Sequence, residues 1–166
     1  MSEKTYYDYE YPTGKILLAE SEGYLVRLCF EESYKAEVVR GYERRETALI
    51  KKAASQLREY FEGKRREFDL PLRFEGTEFQ KKVWAALLTI PYGETRSYGE
   101  IAAQVGNPKG PRAVGMANNR NPIAIICPCH RVIGADGRLV GFGGGLPAKE
   151  YMLRLEGGRQ IAAPTG

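Results

Sequence analysis

The spacing of the hydrophobic residues changes near residue 76, and this change constrains the fold more than any other feature of the chain. Before it, three short segments suited to β-strands are separated by turn residues, at 5–11, 15–20 and 24–30. Apolar residues then recur at helical spacing over 47–61, and Gly63 ends that pattern. The first part of the chain is therefore predicted to be a three-strand meander followed by a helix.

After residue 76 the pattern is helical. Thr77 can cap a helix over 78–88, and Ser97 can cap a short helix over 98–105, with Glu100 completing a capping box. Further helices are expected at 110–119 and 146–155. Two short helices joined by the Gly/Asn/Pro turn at 106–108 indicate a helix-turn-helix. A basic stretch at 64–66 and an extended segment with Pro71 are interpreted as a linker, with the charges forming a solvated surface rather than a binding patch.

Composition and charge narrow the class of protein. Of 166 residues, 43% are hydrophobic and 28% are charged, which is typical of a globular protein. No apolar run approaches the roughly 18 to 20 residues of a membrane span, and the polar start predicts no secretory leader. Three cysteines, an odd number, give no disulfide framework and suit a reducing compartment. A cytoplasmic protein with no membrane partner is expected.

The positive charge is concentrated in the second half of the chain. Residues 1–76 hold 14 Lys/Arg against 15 Asp/Glu, whereas residues 77–166 hold 11 against 6. This asymmetry permits a polyanionic partner for the second half but does not require one, because many basic surfaces are simply solvated.

The single histidine of the chain, His130, directly follows Cys129. A free thiol has a pKa of about 8.5, and a neighbouring base or cation makes it a nucleophile. His130 and Arg131 supply such groups, so we expect the Cys129 thiol to have a lowered pKa. The alternative is structural, since cysteine is often a small buried hydrophobe and histidine a satisfied core group.

A zinc site is the competing chemical interpretation of this segment. Cys127, Cys129 and His130 are three potential ligands, but structural zinc takes four, and the remaining cysteine, Cys29, lies in the other half. We therefore expect no metal, and we interpret Cys127 as apolar filling.

Several motifs of the second half resemble those of the O6-alkylguanine-DNA alkyltransferase family, repair proteins that move an alkyl group from guanine to their own cysteine in a single turnover. The matching segments are SYGEIA (97–102), GNP (106–108), RAVG (112–115), NP (121–122), ICPCHRVI (126–133) and LRLEG (153–157). The resemblance covers about residues 77–157. Residues 1–73 match the family's N-terminal domain only by their pattern of strands and helix.

The resemblance implies an α+β fold with two domains. Residues 1–73 would form a mixed α/β, ribonuclease H-like domain, and residues 74–166 a mainly helical, winged-helix-like DNA-binding domain. It also implies catalytic roles. Cys129 would accept the alkyl group, His130 would take its proton through a water, Glu156 would orient His130, Asn121 would hold the turn before the active-site segment, and Tyr98 would donate a proton toward the departing guanine.

The resemblance further implies how DNA is held. Arg112 would replace an extruded nucleotide in the base stack, while Ala113 and Gly115, with Tyr98, would line the DNA-binding surface. Val132, Phe142 and Gly143 would shape the substrate pocket. Two departures from the family concern this region: Met116 stands where many members have glycine, and Phe142 lacks the hydroxyl of the usual tyrosine.

The implied function is irreversible transfer of a methyl or larger alkyl group from O6-alkylguanine in double-stranded DNA to Cys129, after base flipping. The protein would act as a monomer and need no cofactor. Three other functions are less consistent with the sequence. A non-catalytic lesion binder would lack the nucleophile that Cys129 supplies, a plain helix-turn-helix regulator leaves 128–132 and Glu156 without a role, and a cysteine hydrolase needs an oxyanion hole that the sequence does not reveal.

Overall fold

The computed structural model describes residues 4–31, 36–139 and 145–157. The first half contains a four-stranded sheet in the order β3-β2-β1-β4. Its strands are β1 (Lys4–Tyr11), β2 (Gly14–Ser21), β3 (Tyr24–Phe30) and β4 (Glu43–Arg44). The first three form the predicted antiparallel meander, and β4 pairs with β1 in parallel. A single 3-10 turn, Ala36–Val39, precedes β4.

Helix α1 (Ala48–Phe61) covers one face of this sheet. The Thr47 side chain caps it by accepting a hydrogen bond from the backbone N–H of Ile50 at 3.2 Å. Its apolar stripe is buried, and it includes Ile50, Ala53, Leu57 and Tyr60. Ile16, Leu18 and Leu28 of the sheet belong to the same core cluster. Burial of this stripe supplies the stability that a 14-residue helix lacks in isolation.

The second half is mainly helical. Its elements are α2 (Glu78–Leu87), β5 (Arg96–Ser97), α3 (Tyr98–Gln104), α4 (Pro111–Asn119), β6 (Val132–Ile133) and α5 (Leu146–Leu155). Thr77 and Ser97 form capping boxes with Gln80 and Glu100, so the predicted starts of α2 and α3 are confirmed. The short strands β5 and β6 pair in parallel, which places the start of α3 beside the segment that follows Cys129.

One hydrophobic core runs through both halves of the chain. The outer edge of β3 is also paired. The backbone N–H of Leu25 donates to Pro71 O at 2.8 Å, and that of Leu28 donates to Pro122 O at 2.9 Å. Pro71, in the segment interpreted as a linker, therefore pairs with the edge of the sheet, while the charged Lys64 and Arg66 are exposed. The described residues contain no helix that is long and apolar enough to cross a membrane.

Candidate active site

Cys129 begins a single 3-10 turn, Cys129–Arg131, between an apolar segment and β6. The backbone N–H of Cys129 donates to Cys127 O at 2.8 Å, which closes a tight turn around Pro128, and the φ and ψ of Pro128, −82° and 67°, suit an inverse γ-turn. The Asn121 side chain stabilises this turn through two hydrogen bonds with backbone atoms. Its Nδ2 donates to Cys127 O at 2.7 Å, and its Oδ1 accepts from Ile123 N at 3.0 Å.

A buried carboxylate, Glu156, lies at the C-terminal end of α5 and gathers four side-chain donors. The distance from His130 Nε2 to Glu156 Oε2 is 2.7 Å. Arg131 donates from Nε to Oε1 at 2.9 Å and from Nη2 to Oε2 at 3.1 Å, and its Nη1 donates to Ile90 O at 2.7 Å. Tyr60, on α1, donates its hydroxyl to Oε2 at 2.7 Å. The site therefore includes a residue from the first half of the chain.

The charged groups of this cluster determine which ring nitrogen of His130 carries a proton. Burial opposes ionisation of Glu156, but the hydrogen bond from His130 and the bonds and charge of Arg131 outweigh it and lower the pKa of the carboxyl. Burial lowers the pKa of His130 more than Glu156 raises it, so the imidazole is neutral. An ionised Glu156 accepts from Nε2–H, which leaves Nδ1 unprotonated. Nδ1 is buried and has no hydrogen-bond partner among the described residues.

The Cys129 thiol differs from the sequence prediction. Burial raises its pKa, and the hydrogen bond from Asn121 and the charge of Lys149 offset this only in part. The prediction of a lowered pKa is wrong, because the side chain is almost enclosed, with 5% of the residue exposed. Cys129 is therefore a thiol at rest, and reaction requires a base to remove its proton.

Lys149 is a functional candidate that sequence reasoning missed. It is fully buried in α5, and its Nζ donates to Val132 O at 2.6 Å. Burial lowers its pKa to about 8, and the nearby Cys129 opposes that shift. The sequence carries no signal for this position, since a lysine in a helix normally extends into solvent.

Tyr98 and α4 form the side of the site predicted to meet DNA. Burial and the Cys129 thiol raise the pKa of Tyr98 to about 12. A Cβ on Gly115 would lie 3.7 Å from the Tyr98 ring, so the glycine permits close packing of α3 and α4. On the outer face of α4, Arg112 is exposed, Ala113 is half-buried and Met116 is 59% exposed.

The structure thus brings Cys129, His130, Glu156 and Asn121 together, as the sequence predicted. Val132 is buried in β6, directly after the 3-10 turn. Phe142 and Gly143, predicted for the substrate pocket, lie outside the described residues. Within the part of the chain that is described, no group of three or more His, Cys, Asp or Glu residues is placed to hold a metal ion. Cys127 instead directs its sulfur toward Trp84 O at 3.5 Å.

Two family models and a named relative match most of this chain. The model of the 6-O-methylguanine DNA methyltransferase ribonuclease-like domain matches residues 4–74, and that of the DNA-binding domain of the same proteins matches 78–158. A methylated-DNA–protein-cysteine methyltransferase of Methanosarcina acetivorans is 54% identical over 149 residues, which cover 90% of this chain and 96% of that relative.

Solved structures of similar proteins superpose on this chain. The O6-methylguanine methyltransferase of Mycobacterium tuberculosis superposes with a TM-score of 0.87, at 47% identity and 96% coverage of both chains. A structure of Mycobacterium tuberculosis OGT in complex with DNA superposes with a TM-score of 0.86, at 49% identity and 92% coverage of both. A ribonuclease-like domain and a helical DNA-binding domain that carries a buried cysteine define a two-domain, DNA-binding class of protein. The chain belongs to the 6-O-methylguanine DNA methyltransferase family.

Proposed function

We propose that Cys129 is the acceptor residue in the repair reaction of this family. The protein has methylated-DNA–protein-cysteine methyltransferase activity and repairs DNA by moving an alkyl group from O6-alkylguanine to a cysteine of its own. One observation carries the assignment of that cysteine. Of the three, only Cys129 adjoins the His130–Glu156 pair, whereas Cys127 faces a core carbonyl and Cys29 lies in β3.

The proposed step begins with the Cys129 thiol. Its proton passes through a water to His130 Nδ1, the ring nitrogen that Glu156 leaves unprotonated. The thiolate attacks the alkyl carbon, and the new C–S bond forms as the C–O6 bond breaks. The electron pair of that bond goes to guanine O6, where Tyr98 donates a hydrogen bond as charge develops. The proton held by His130 then returns through water to the guanine anion, so the products are a thioether on Cys129 and unmodified guanine, and each protein molecule repairs one lesion.

The buried position of Cys129 explains why the target base must leave the DNA helix. The O6 substituent of a paired guanine lies within the duplex, where an enclosed sulfur cannot reach it. We propose that the guanine is flipped into a pocket that includes Val132, Phe142 and Gly143. Arg112, which is exposed near the start of α4, would occupy the gap, and the small residues Ala113 and Gly115 would allow the backbone to approach the DNA closely.

We further propose that the protein acts as a monomer in the cytoplasm and requires no cofactor. Cys29, Cys127 and Cys129 are all free. Free thiols suit a reducing compartment.

Cys129→Ser tests the assignment of the acceptor. A hydroxyl is far less acidic than a thiol, so we expect this variant to lose transfer while it still binds duplex DNA. Intact-mass and peptide analysis after incubation with O6-methylguanine DNA should find one added methylene on the Cys129 peptide of the unaltered protein. Cys127→Ser and Cys29→Ser are the matched controls and should retain transfer. Alkylation of either control cysteine in place of Cys129 would overturn the assignment.

A further inference from the structure

Tyr60 connects the first half of the chain to the chemistry of the second. It lies in the last turn of α1, is fully buried, and donates its hydroxyl to Glu156 Oε2 at 2.7 Å. The same oxygen lies 2.7 Å from His130 Nε2. The hydroxyl and the imidazole therefore share one acceptor atom, although 96 residues separate Tyr60 from Glu156 in the chain.

The position and protonation of this hydroxyl are both fixed. Aromatic rings surround Tyr60, with centroids of Phe61, Phe68 and Tyr92 at 5.2, 5.7 and 6.4 Å. Burial, and then the charge and hydrogen bond of Glu156, raise the pKa of Tyr60 far above its usual range. The phenol therefore stays protonated and always donates to the carboxylate.

Each donor to Glu156 reduces the negative charge that the carboxylate can offer to an imidazolium. Oε2 accepts from Tyr60, His130 and Arg131 Nη2. A carboxylate oxygen that accepts three hydrogen bonds still orients a neutral imidazole by accepting from the imidazole Nε2–H. It stabilises the protonated ring less than a carboxylate bound to His130 alone. Glu156 thus orients His130 while favouring its protonated form less than it otherwise would.

We propose that Tyr60 is a positioning residue for alkyl transfer, which acts through Glu156 to hold His130 as a neutral base with its Nδ1 available for the Cys129 proton. The inference rests on the proposed function of Cys129 and His130. It gives the N-terminal domain a part in the reaction, because α1 supplies the hydroxyl.

The other charged and titratable groups near His130 also favour its neutral form, or they affect its protonation only weakly. Arg131 and, from α5, Lys149 are cations that oppose its protonation, while Cys129 is uncharged at rest. Tyr92, in the loop after α2, hydrogen-bonds Leu155 O at 3.4 Å instead of the carboxylate. Glu156 is the group that favours imidazolium, so a change in its donors should be visible in the titration of His130.

Tyr60→Phe tests the proposal, with Tyr92→Phe as the matched control. The control removes a neighbouring phenol hydroxyl that does not bind Glu156. Rates of transfer from free O6-benzylguanine and from duplex DNA would be measured against pH by intact mass. With one donor gone, Glu156 Oε2 carries more charge and stabilises the imidazolium, so His130 must lose its proton at a higher pH. We expect the acid limb of the Tyr60→Phe profile to move up by about half to one pH unit on both substrates. Tyr92→Phe should leave it in place.

Because the chain has a single histidine, NMR of the imidazole nitrogens reports on His130 alone. In the unaltered protein we expect the proton on Nε2, and this measurement needs no variant. A resting ring protonated on Nδ1 would overturn the proposal. So would a Tyr60→Phe variant whose acid limb and imidazole titration coincide with those of the unaltered protein, or equal changes in Tyr60→Phe and Tyr92→Phe. Failure of the proposed function is separate, since it appears as transfer that survives Cys129→Ser.

Discussion

At the scale of single residues, the proposed mechanism requires a proton to move before the sulfur can react. Cys129 is held as a thiol by burial, and His130 is held neutral by the same burial. A nucleophile and a base that are both uncharged can share an enclosed site at little electrostatic cost, because neither is a buried charge.

His130 and Glu156 should act as one unit. We expect His130→Ala and Glu156→Gln each to slow transfer by about 100-fold or more, since both disrupt general-base catalysis. The double variant should lose much less than the product of the two effects, because the carboxylate acts through the imidazole. Single-turnover rates with free O6-benzylguanine would measure this. Losses that multiply fully would mean that Glu156 does not act through His130.

The residues of the candidate site differ in how far the sequence could predict them. Cys129 and His130 form a short motif with an evident chemical logic, whereas the roles of Asn121 and Glu156 were implied by the family resemblance. Tyr60 and Lys149 have neither signal. Tyr60 reaches Glu156 only because the two halves of the chain share a core, and burial of Lys149 depends on how α5 packs against the turn after Cys129. Neither contact leaves a local pattern.

At the scale of secondary structure, the proposed function gives α4 the handling of DNA, apart from the chemistry. Its inner face is buried through Val114 and Ala117, while Arg112 projects from the outer face near the start of the helix. Such an arginine can contact a DNA phosphate, or it can insert into the base stack as a wedge in place of the flipped nucleotide. These two roles predict different results.

We expect Arg112→Ala to react with free O6-benzylguanine at a nearly unchanged rate and to repair duplex DNA much more slowly. The free base needs no flipping, so a wedge has no part in its reaction. A phosphate contact would instead weaken binding and reduce the salt dependence of affinity by about one unit. Repair rates on both substrates, with binding measured at several salt concentrations, distinguish the two. If Arg112→Ala slowed the reaction with the free base and with duplex DNA equally, Arg112 would instead support the fold or the substrate pocket.

The helices followed the sequence closely, whereas the shortest strands did not. The predicted bounds of all five helices lie within one residue of those observed, because the caps at Thr77 and Ser97 and the apolar stripes are local signals. Strands β4, β5 and β6 have two residues each, too few for any periodicity, and their partners are distant in sequence.

At the scale of the whole molecule, the shared core should make both halves unfold together. Ile123 is fully buried where the second half meets β3, and the sole tryptophan, Trp84, reports on the second half. We expect Ile123→Ala to lower the free energy of unfolding by about 2 to 5 kcal/mol. Trp84 fluorescence and far-ultraviolet circular dichroism should shift to the same lower urea midpoint. Two separate transitions would contradict a shared core.

The pairing along the outer edge of β3 also bears on solubility. An open edge strand is a template on which other chains can add strands, and natural proteins cover such edges. Here the cover comes from later in the same chain, through the backbone of Pro71, Arg73, Pro122 and Ala124. A fragment that ends before Pro71 would present the β3 edge unpaired and would be prone to aggregate. During synthesis the meander is made first, so its edge stays open until the second half has emerged, and slow translation there would favour aggregation over folding.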